Sequence, residues 1–339
     1  MKKILSLALA LVLVLSMGTV AFAAAGEETT YTDMSTVTLT KEYKLHNAGT
    51  TSPAETFTFS DLTCTRVTDA ADGVTTTNAP VPTIGNVSYA VGEAGGTNAK
   101  QNITITLPEY TSVGIYTYTF TENDGGTAGV TYRSDEITLV VTVIEQDGKV
   151  RVAAVHTEGE GQTTKSGEFN NVYSAGSLSV KKTVTGIMGD QQKEFTVKVI
   201  FTAPTDDTVR GNITYIDGNE TKTIAAGEDG WNDSREVEIT LKHDETVTFT
   251  NIPYGVTYTV VEDDYTAQNA GGYDKADYKF DDNEKKIDSA SDNVTITNNK
   301  GGVVDTGINM DSMPYILLLA VVFMSLFVFF SKKRMMREN

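Results

Sequence analysis

Residues 116–122 read Tyr-Thr-Tyr-Thr-Phe-Thr-Glu, so an aromatic side chain stands at every second position from 116 to 120. Side chains of a β-strand alternate between its two faces, and this period of two is typical of a strand with one buried face. Comparable runs recur along the chain, separated by clusters of Gly, Asn, Asp and Pro that form turns. These runs include residues 37–40, 55–59, 102–107, 136–144, 178–184, 194–201, 236–241 and 293–297. The sequence therefore predicts an all-β protein.

The chain length of 339 residues predicts two domains, since a domain usually holds roughly 100 to 200 residues. The pattern of short strands restarts at Ser177. Many short antiparallel strands in blocks of this length are typical of β-sandwiches. We therefore expect one sandwich over residues 30–175 and a second over residues 176–300.

Both ends of the chain carry targeting patterns. Residues 1–25 combine two lysines, an apolar run and an Ala-Phe-Ala site, which predicts a secretory signal peptide cleaved between Ala23 and Gly26. Residues 313–330 contain no charged side chain and precede the basic stretch Lys332–Arg334. This pattern predicts a transmembrane helix with a basic tail that stays inside the cell. The body of the chain therefore faces outward.

Composition excludes several classes of function. The formal net charge of −18 makes nucleic acid a poor partner. With Cys64 as its one cysteine and only three scattered histidines, the chain cannot form an internal disulfide, and we expect neither a metal site nor a cofactor. Hydrolase motifs such as Gly-x-Ser-x-Gly and His-Glu-x-x-His are absent from the sequence. If the exported protein is resistant to its surroundings, something other than a disulfide must stabilise it.

The two halves share a weak repeat of three polar residues in one order. Each half opens with a strand that contains a lysine, later has an aromatic strand that ends in a glutamate, and closes with an asparagine after an apolar residue. Strand alternation puts each of these side chains on the same face as neighbouring apolar residues, and hence in the core. The triplets are Lys41, Glu122 and Asn171 in the first half, and Lys182, Glu262 and Asn298 in the second.

These residue types suggest a specific reaction. Burying an amine, a carboxyl group and an amide is costly unless the groups are paired. Burial disfavours the charged forms, so a lysine and a carboxylic acid can both be neutral in a core. A neutral amine can attack the asparagine amide carbon, while the acid donates a proton to the amide oxygen and then passes protons to the departing ammonia. The sequence thus predicts one Lys–Asn isopeptide bond in each half, made once and without turnover.

Neighbouring residues remain open as members of these triplets, namely Lys44, Lys181, Asn170 and Asn299. Alternation places Lys181, Asn170 and Asn299 on the opposite face of their strands. A simpler interpretation is that all these side chains are solvated surface residues, which is common for lysine, glutamate and asparagine. Two triplets in matching order, in an exported β protein that cannot form an internal disulfide, favour the cross-links.

Three stretches resemble a known family. They read Leu-Ser-Val-Lys-Lys-Thr-Val-Thr-Gly at residues 178–186, Pro-Tyr-Gly-Val-Thr-Tyr-Thr-Val-Val-Glu-Asp-Asp-Tyr at 253–265 and Val-Thr-Ile-Thr-Asn-Asn-Lys at 294–300. The N-terminal half resembles the streptococcal pilin isopeptide-linkage domain, and residues 30–307 resemble two-domain major backbone pilins of the T-antigen (FctA) type. The resemblance implies two tandem immunoglobulin-like (CnaB-like) sandwiches in which the two triplets above form autocatalytic bonds. The match is looser over residues 41–57.

The segment before the apolar span also resembles a known signal. Residues 303–307 read Val-Val-Asp-Thr-Gly, and a short motif ending in Thr-Gly before a hydrophobic span and a basic tail is similar to a Gram-positive sortase sorting signal. The resemblance implies that residues 303–339 are a sorting segment cleaved between Thr306 and Gly307. Asp305 stands where proline is expected, which leaves the class of sortase open. A plain stop-transfer anchor is the alternative.

Polymerisation by a sortase also needs an acceptor amine, and the resemblance points to an exposed lysine shortly before the terminal asparagine of the first domain. Lys165 lies six residues before Asn171, among small polar residues that are typical of an exposed loop. The prediction is that Lys165 is joined to Thr306 of the next copy. A solvated loop lysine is the alternative.

These patterns together predict a structural protein rather than an enzyme: the backbone subunit of a sortase-assembled covalent pilus on the cell wall of a Gram-positive bacterium. Its precursor would be anchored transiently in the membrane. The expected partners are a sortase, neighbouring copies of the chain in a head-to-tail fibre, tip and basal pilins, and peptidoglycan. The alternative function is a wall-anchored adhesin or accessory pilin that binds a host or bacterial surface ligand.

Overall fold

The structure, a computed structural model, describes residues 33–159, 168–281, 283–302 and 313–335. Strands account for most of its regular structure, which confirms the all-β prediction. The strands of the N-terminal half are β1 (Thr36–Leu45), β2 (Glu55–Phe57), β3 (Thr63–Thr68), β4 (Thr83–Ile84), β5 (Val87–Tyr89), β6 (Lys100–Thr106), β7 (Gly114–Phe120), β8 (Val130–Thr131), β9 (Ile137–Gln146), β10 (Lys149–Gly159) and β11 (Glu168–Tyr173).

The rest of the chain contains nine further strands and one helix within the described residues. They are β12 (Ala175–Thr185), β13 (Phe195–Thr202), β14 (Ile213–Asp217), β15 (Glu220–Ile224), β16 (Ser234–Leu241), β17 (Thr246–Pro253), β18 (Thr257–Glu262), β19 (Asp277–Phe280), β20 (Ser291–Asn299) and the helix α1 (Met313–Met335).

The strands of the N-terminal half form three sheets. A five-stranded sheet has the order β4-β6-β1-β11-β8, a four-stranded sheet has the order β10-β9-β7-β3, and β2 pairs with β5. The first and last strands of this half, β1 and β11, are parallel neighbours at the centre of the five-stranded sheet. Buried side chains from these sheets share one hydrophobic core, which includes Leu39, Tyr118 and Leu139.

The strands of the C-terminal half form two sheets. The larger has the order β15-β14-β17-β12-β20-β19, and the smaller has the order β16-β13-β18. The first strand β12 is again a neighbour of the last long strand β20. The inward positions of both sheets are buried, for example Leu178, Val199 and Phe249. Two sheets with buried inner faces are the architecture of a β-sandwich.

Local sequence explains how these strands form and turn. In β1 the side chains of Val37, Leu39 and Lys41 are buried while their neighbours are more exposed, which is the alternation that the sequence predicts. The hairpin between β9 and β10 turns at Asp147 and Gly148, both of which have positive φ. An Asp-Gly pair favours this turn because its backbone twist matches that of the flanking strands.

Contacts along the chain divide it into two compact units. Among the described residues, the larger unit contains 33–159, 168–183, 193–263, 278–281 and 283–296, and the smaller contains 184–192, 264–277, 297–302 and 313–335. Each of the five sheets draws its strands either from residues 36–173 or from residues 175–299. The predicted boundary between residues 175 and 176 stays a prediction.

The targeting segments are only partly described. In the part of the chain that the structure describes, no helix is both long and apolar enough to cross a membrane. The transmembrane span that the sequence predicts over residues 313–330, within α1, therefore stays a prediction. The signal peptide, Lys165, Thr306 and Gly307 lie outside the described residues.

Candidate functional site

The first predicted triplet comes together in the core of the N-terminal half. Lys41 lies on β1 and Asn171 on β11, and both side chains are fully buried. The parallel register of these strands pairs Lys41 with Phe169 and Tyr43 with Asn171, which brings the lysine and the asparagine to adjacent inward positions. The inward placement that alternation predicts for Lys41 and Asn171 is confirmed.

Glu122 lies at the same site, but its position in the backbone differs from the one that the sequence predicted. The strand β7 ends at Phe120, so Glu122 is not at the end of a strand but two residues beyond it. An isolated antiparallel bridge to Phe59 holds Glu122 there. The backbone N of Arg133 also donates a hydrogen bond of 3.1 Å to Glu122 Oε2. The side chain of Glu122 is completely buried as a result.

The three side chains form a closed set of hydrogen bonds. Lys41 Nζ donates to Glu122 Oε1 at 2.5 Å and also donates to Asn171 Oδ1. Asn171 Nδ2 donates to the same Glu122 Oε1 at 2.9 Å. One carboxylate oxygen thus contacts both the amine nitrogen and the amide nitrogen. The reasoning from sequence had the glutamate facing the amide oxygen instead, and the observed contacts place it between the attacking and the leaving nitrogen.

The electrostatics of this site favour a reactive amine. Burial lowers the pKa of Lys41 below its usual 10.5, although the charge of Glu122 opposes that shift. A phenyl ring, that of Phe57 on β2, lies with its centroid 4.1 Å from Lys41 Nζ and covers the amine. A lowered pKa increases the fraction of neutral lysine, which is the nucleophilic form.

The second triplet has the same contact between lysine and glutamate as the first. Lys182 lies on β12 and Glu262 is the last residue of β18, as predicted. Lys182 Nζ and Glu262 Oε1 form an ion pair of 3.0 Å between side chains that are essentially unexposed. Burial again lowers the pKa of the lysine against the opposing charge of its glutamate. Asn298 is 1% exposed and lies on β20, the strand next to β12 in the sheet order.

The alternative residues lie at the protein surface. The side chain of Lys44 is 43% exposed beside Glu42, and that of Lys181 is 46% exposed beside Asp244. Asn170 is exposed, and Asn299 donates a hydrogen bond to Asp274. The structure therefore favours the inward-facing triplets over their neighbours, as strand alternation indicated.

The sequence did not predict that a phenylalanine ring covers each of the two lysine amines. Phe57 lies 4.1 Å from Lys41 Nζ, and Phe195 lies 4.1 Å from Lys182 Nζ. Each phenylalanine belongs to the first strand that follows its lysine, β2 or β13. The order of the strands could be read from the sequence. That order alone does not indicate which buried aromatic ring faces the lysine, so the cover could not be predicted.

Comparisons with known proteins find two family models and a similar curated protein. Residues 37–174 match a family model described as the Spy0128-like isopeptide containing domain. Residues 176–300 match a family model described as a domain of unknown function, DUF7601. A protein named Pilin from Streptococcus pyogenes serotype M1 is 28% identical over 320 residues, which cover 88% of this chain and 90% of that protein.

Solved structures show the same fold. The crystal structure of the major pilin from Streptococcus pyogenes has a TM-score of 0.54 and 24% identity, and covers 80% of this chain and 100% of its own. The major pilin protein T-13 from Streptococcus pyogenes has a TM-score of 0.51 and 21% identity, with 79% and 98% covered. The N-terminal half is therefore similar to the Spy0128-like isopeptide containing domain, and the whole chain is similar to a streptococcal pilin over most of its length.

Proposed function

We propose that the chain is the structural backbone subunit of a covalent surface pilus, and that intramolecular Lys–Asn isopeptide bonds strengthen each subunit. The single observation that carries this proposal is the buried contact of Lys41, Glu122 and Asn171. An amine, a carboxyl group and an amide in mutual contact in an apolar core are the reactants and the proton carrier for amide exchange. The similarity to a streptococcal pilin supports the same function.

The contacts suggest the order of proton transfers. The Glu122 carboxylate accepts a proton from the Lys41 ammonium across their 2.5 Å hydrogen bond. The neutral amine then attacks Cγ of Asn171, forming a new C–N bond. Glu122 Oε1, which also faces Asn171 Nδ2 at 2.9 Å, delivers the proton to that nitrogen. The amide C–N bond breaks and ammonia leaves, while the new amide nitrogen gives its second proton to Glu122, which ends as a neutral carboxyl group.

The second site supports the same chemistry. Lys182 and Glu262 provide the amine and the carboxyl group at 3.0 Å in a similarly buried setting. Asn298, which is also buried, is the amide partner that we assign to Lys182. Each half of the chain would then carry one bond of the same type.

The position of the first bond explains its mechanical value. It would join β1 to β11, the first and last strands of the half, between residues that are 130 positions apart in sequence. A force applied to the two ends of this half would be carried by the covalent bond. The strands between Lys41 and Asn171 would therefore not be pulled apart. The single buried cysteine offers no disulfide to do this work.

Assembly of subunits requires a second kind of bond. We assign Lys165 as the acceptor amine and Thr306 as the residue that a sortase joins to it after cleavage before Gly307. Each copy would offer one acceptor and one donor, which gives an open head-to-tail fibre. The apolar segment over residues 313–330 would hold the precursor in the membrane until a sortase acts, and a last transfer to peptidoglycan would fix the fibre to the wall. Tip and basal pilins would complete it.

The assembly proposal is tested by a lysine substitution in the producing bacterium. A Lys165→Ala chain should lose the ladder of high-mass species in cell-wall extracts, because sortase has no acceptor amine. Lys149→Ala, which removes an exposed lysine at the start of β10, is the matched control and should keep the ladder. A ladder that persists in Lys165→Ala would overturn the assignment of the acceptor. A parent chain that reaches the wall without any ladder would favour an adhesin or accessory pilin.

A further inference from the structure

Three residues next to the first site have buried polar atoms that take no part in the reaction proposed above. They are Tyr43, Glu55 and Tyr132, and we call them the Tyr43 cluster. Tyr43 is fully buried and Glu55 is 8% exposed. Within the described residues, Tyr43 OH, Glu55 Oε2 and Tyr132 OH are buried and have no hydrogen-bond partner. Buried polar atoms without a protein partner commonly face a bound water or another small polar molecule.

The Tyr43 cluster borders the reacting amine. Tyr43 follows Lys41 by two residues on the inward face of β1, so their side chains lie side by side. The ring of Phe57 connects the cluster to the site, with its centroid 4.1 Å from Lys41 Nζ, 5.2 Å from the Tyr43 ring centroid and 5.8 Å from the Tyr132 ring centroid.

The other end of the Tyr43 cluster lies under the protein surface at Gly125, an exposed residue. A Cβ atom at this position would lie 2.6 Å from Tyr132 OH and 2.9 Å from Glu55 Oε1. The φ angle of Gly125 is not in the left-handed region. The requirement for glycine here is therefore one of space, because any side chain would press on the two polar groups.

The reaction proposed for the first site releases a small molecule that must leave the core. When the bond from Lys41 Nζ to Asn171 Cγ forms and the amide C–N bond breaks, one ammonia molecule is released between side chains that have no exposed surface. Ammonia that stays beside the new amide can attack it again and reverse the step. Neutral phenol hydroxyls can exchange hydrogen bonds with ammonia, and a carboxylate oxygen can accept hydrogen bonds from it.

We propose that the Tyr43 cluster is a transit site for ammonia between the Lys41 site and the surface at Gly125. This inference rests on the proposed isopeptide bond. Ammonia passes from the site to the hydroxyl of Tyr43, then to the carboxyl group of Glu55 and the hydroxyl of Tyr132, and takes up a proton from solvent once it is outside. Water occupies the same polar groups before and after the reaction.

The test follows bond formation at both sites of the full-length chain. The chain is isolated unfolded from inclusion bodies and diluted into native buffer with detergent. Samples are quenched in acid at intervals and digested, and the fraction of peptides joined through Lys41 and Asn171 is measured by mass spectrometry. Tyr43→Phe and Glu55→Gln remove one polar group each with little change of shape, and Gly125→Val fills the path. Tyr43→Phe should slow joining at Lys41 by about threefold and Glu55→Gln by about tenfold, the scales expected for losing one hydrogen bond between neutral groups and one to a charged group. Gly125→Val should slow it as well.

Two controls separate this effect from damage to the fold. Joining at Lys182 in the same molecules should keep its parental rate, and Gly85→Ala should leave both sites unchanged, because its Cβ would meet only Thr104 O at an ordinary 3.5 Å. Resistance to protease reports folding of each variant, and if Gly125→Val does not fold, Tyr43→Phe decides the question. Parental rates at Lys41 in the folded Tyr43→Phe and Glu55→Gln chains, or equal slowing at both sites, would overturn the transit site. A parent chain with no joined peptide at Lys41 would instead overturn the proposed function.

Discussion

The two sites hold the same lysine and glutamate pair in different surroundings. In both, the side chains of lysine and glutamate are buried in contact, at 2.5 Å for Lys41 and Glu122 and 3.0 Å for Lys182 and Glu262. In both, a phenylalanine ring lies 4.1 Å from the amine. What the sites share is the set of conditions that the chemistry needs: an amine whose pKa burial lowers, and a carboxyl group beside it.

The sites differ in how the backbone presents the glutamate. Glu262 ends the strand β18, and its backbone N donates a hydrogen bond of 2.8 Å to Tyr278 OH. Glu122 lies beyond β7 and is held by its bridge to Phe59 and by the backbone N of Arg133. The comparison shows that the position of the carboxyl group is preserved although the local backbone is not. Contacts with Lys41 and Asn171, rather than the end of a strand, define the first site.

The largest expected effect is loss of one bond without loss of the other. Glu122→Ala should slow joining at Lys41 by a factor of about 10² to 10⁴, because general acid–base catalysis is lost. Glu262→Ala should do the same at Lys182 only. Digestion and mass spectrometry of joined peptides measure both sites in one sample. Glu236→Ala, at an exposed position on β16, is the control and should leave both bonds intact. Loss of both bonds in either variant would contradict independent sites.

The next effect is on stability. Lys41→Ala should lower the free energy of unfolding by about 5 kcal/mol, since the bond would close a loop of 130 residues. Such a loss corresponds to a decrease in Tm of roughly 10 to 20 °C for a domain of this size. Calorimetry measures it, with Lys44→Ala as the exposed neighbouring control. A similar Tm for both variants would mean that no bond stabilises this half.

A pH dependence should appear once the bond is prevented. In an Asn171→Ala chain Lys41 remains an amine, and burial lowers its pKa below the unfolded value of 10.5. Between these two pKa values the unfolded chain binds more protons than the folded chain, so stability rises with pH across that window. A cross-linked parent would lack this contribution, since an amide nitrogen does not titrate. Urea unfolding at several pH values tests it, and identical pH slopes for variant and parent would contradict the assignment.

The smallest expected effect is a shift in the pH dependence of bond formation at Lys41 that does not occur at Lys182. The charge of Arg133 adds to the lowering of the Lys41 pKa, after the larger effect of burial. Arg133→Gln should therefore raise that pKa and move the pH dependence of joining at Lys41 slightly upward. Arg235→Gln, in the other half of the chain, is the control. The rate of joining is measured after dilution of unfolded chain into buffers of different pH. An equal shift at Lys182 would show that the effect is not local.

Much of the site could be predicted from sequence because strand alternation is a local property. It placed Lys41, Asn171, Lys182 and Asn298 on inward faces, and the structure confirms that all four are buried. The same rule separated Lys181 from Lys182 correctly, because adjacent strand residues face opposite ways.

The parts that sequence did not predict depend on contacts between distant residues. Alternation cannot show that β7 ends at Phe120, since the bridge that positions Glu122 comes from Phe59, more than sixty residues earlier. It also cannot show which aromatic ring covers an amine, or that Glu55 and Tyr43 are neighbours of the site. These features follow from the arrangement of the sheets, which a single strand pattern does not determine.

The most direct test of the central claim is the intact mass of the purified ectodomain, residues 26–302. Each isopeptide bond expels one ammonia, so two bonds should give a mass about 34 Da below the sequence value, and Glu122→Ala or Glu262→Ala should give a mass about 17 Da below it. A mass equal to the sequence value would show that neither bond forms. The buried lysine and glutamate pairs would then be ion pairs only, and the proposed covalent strengthening of the subunit would be wrong.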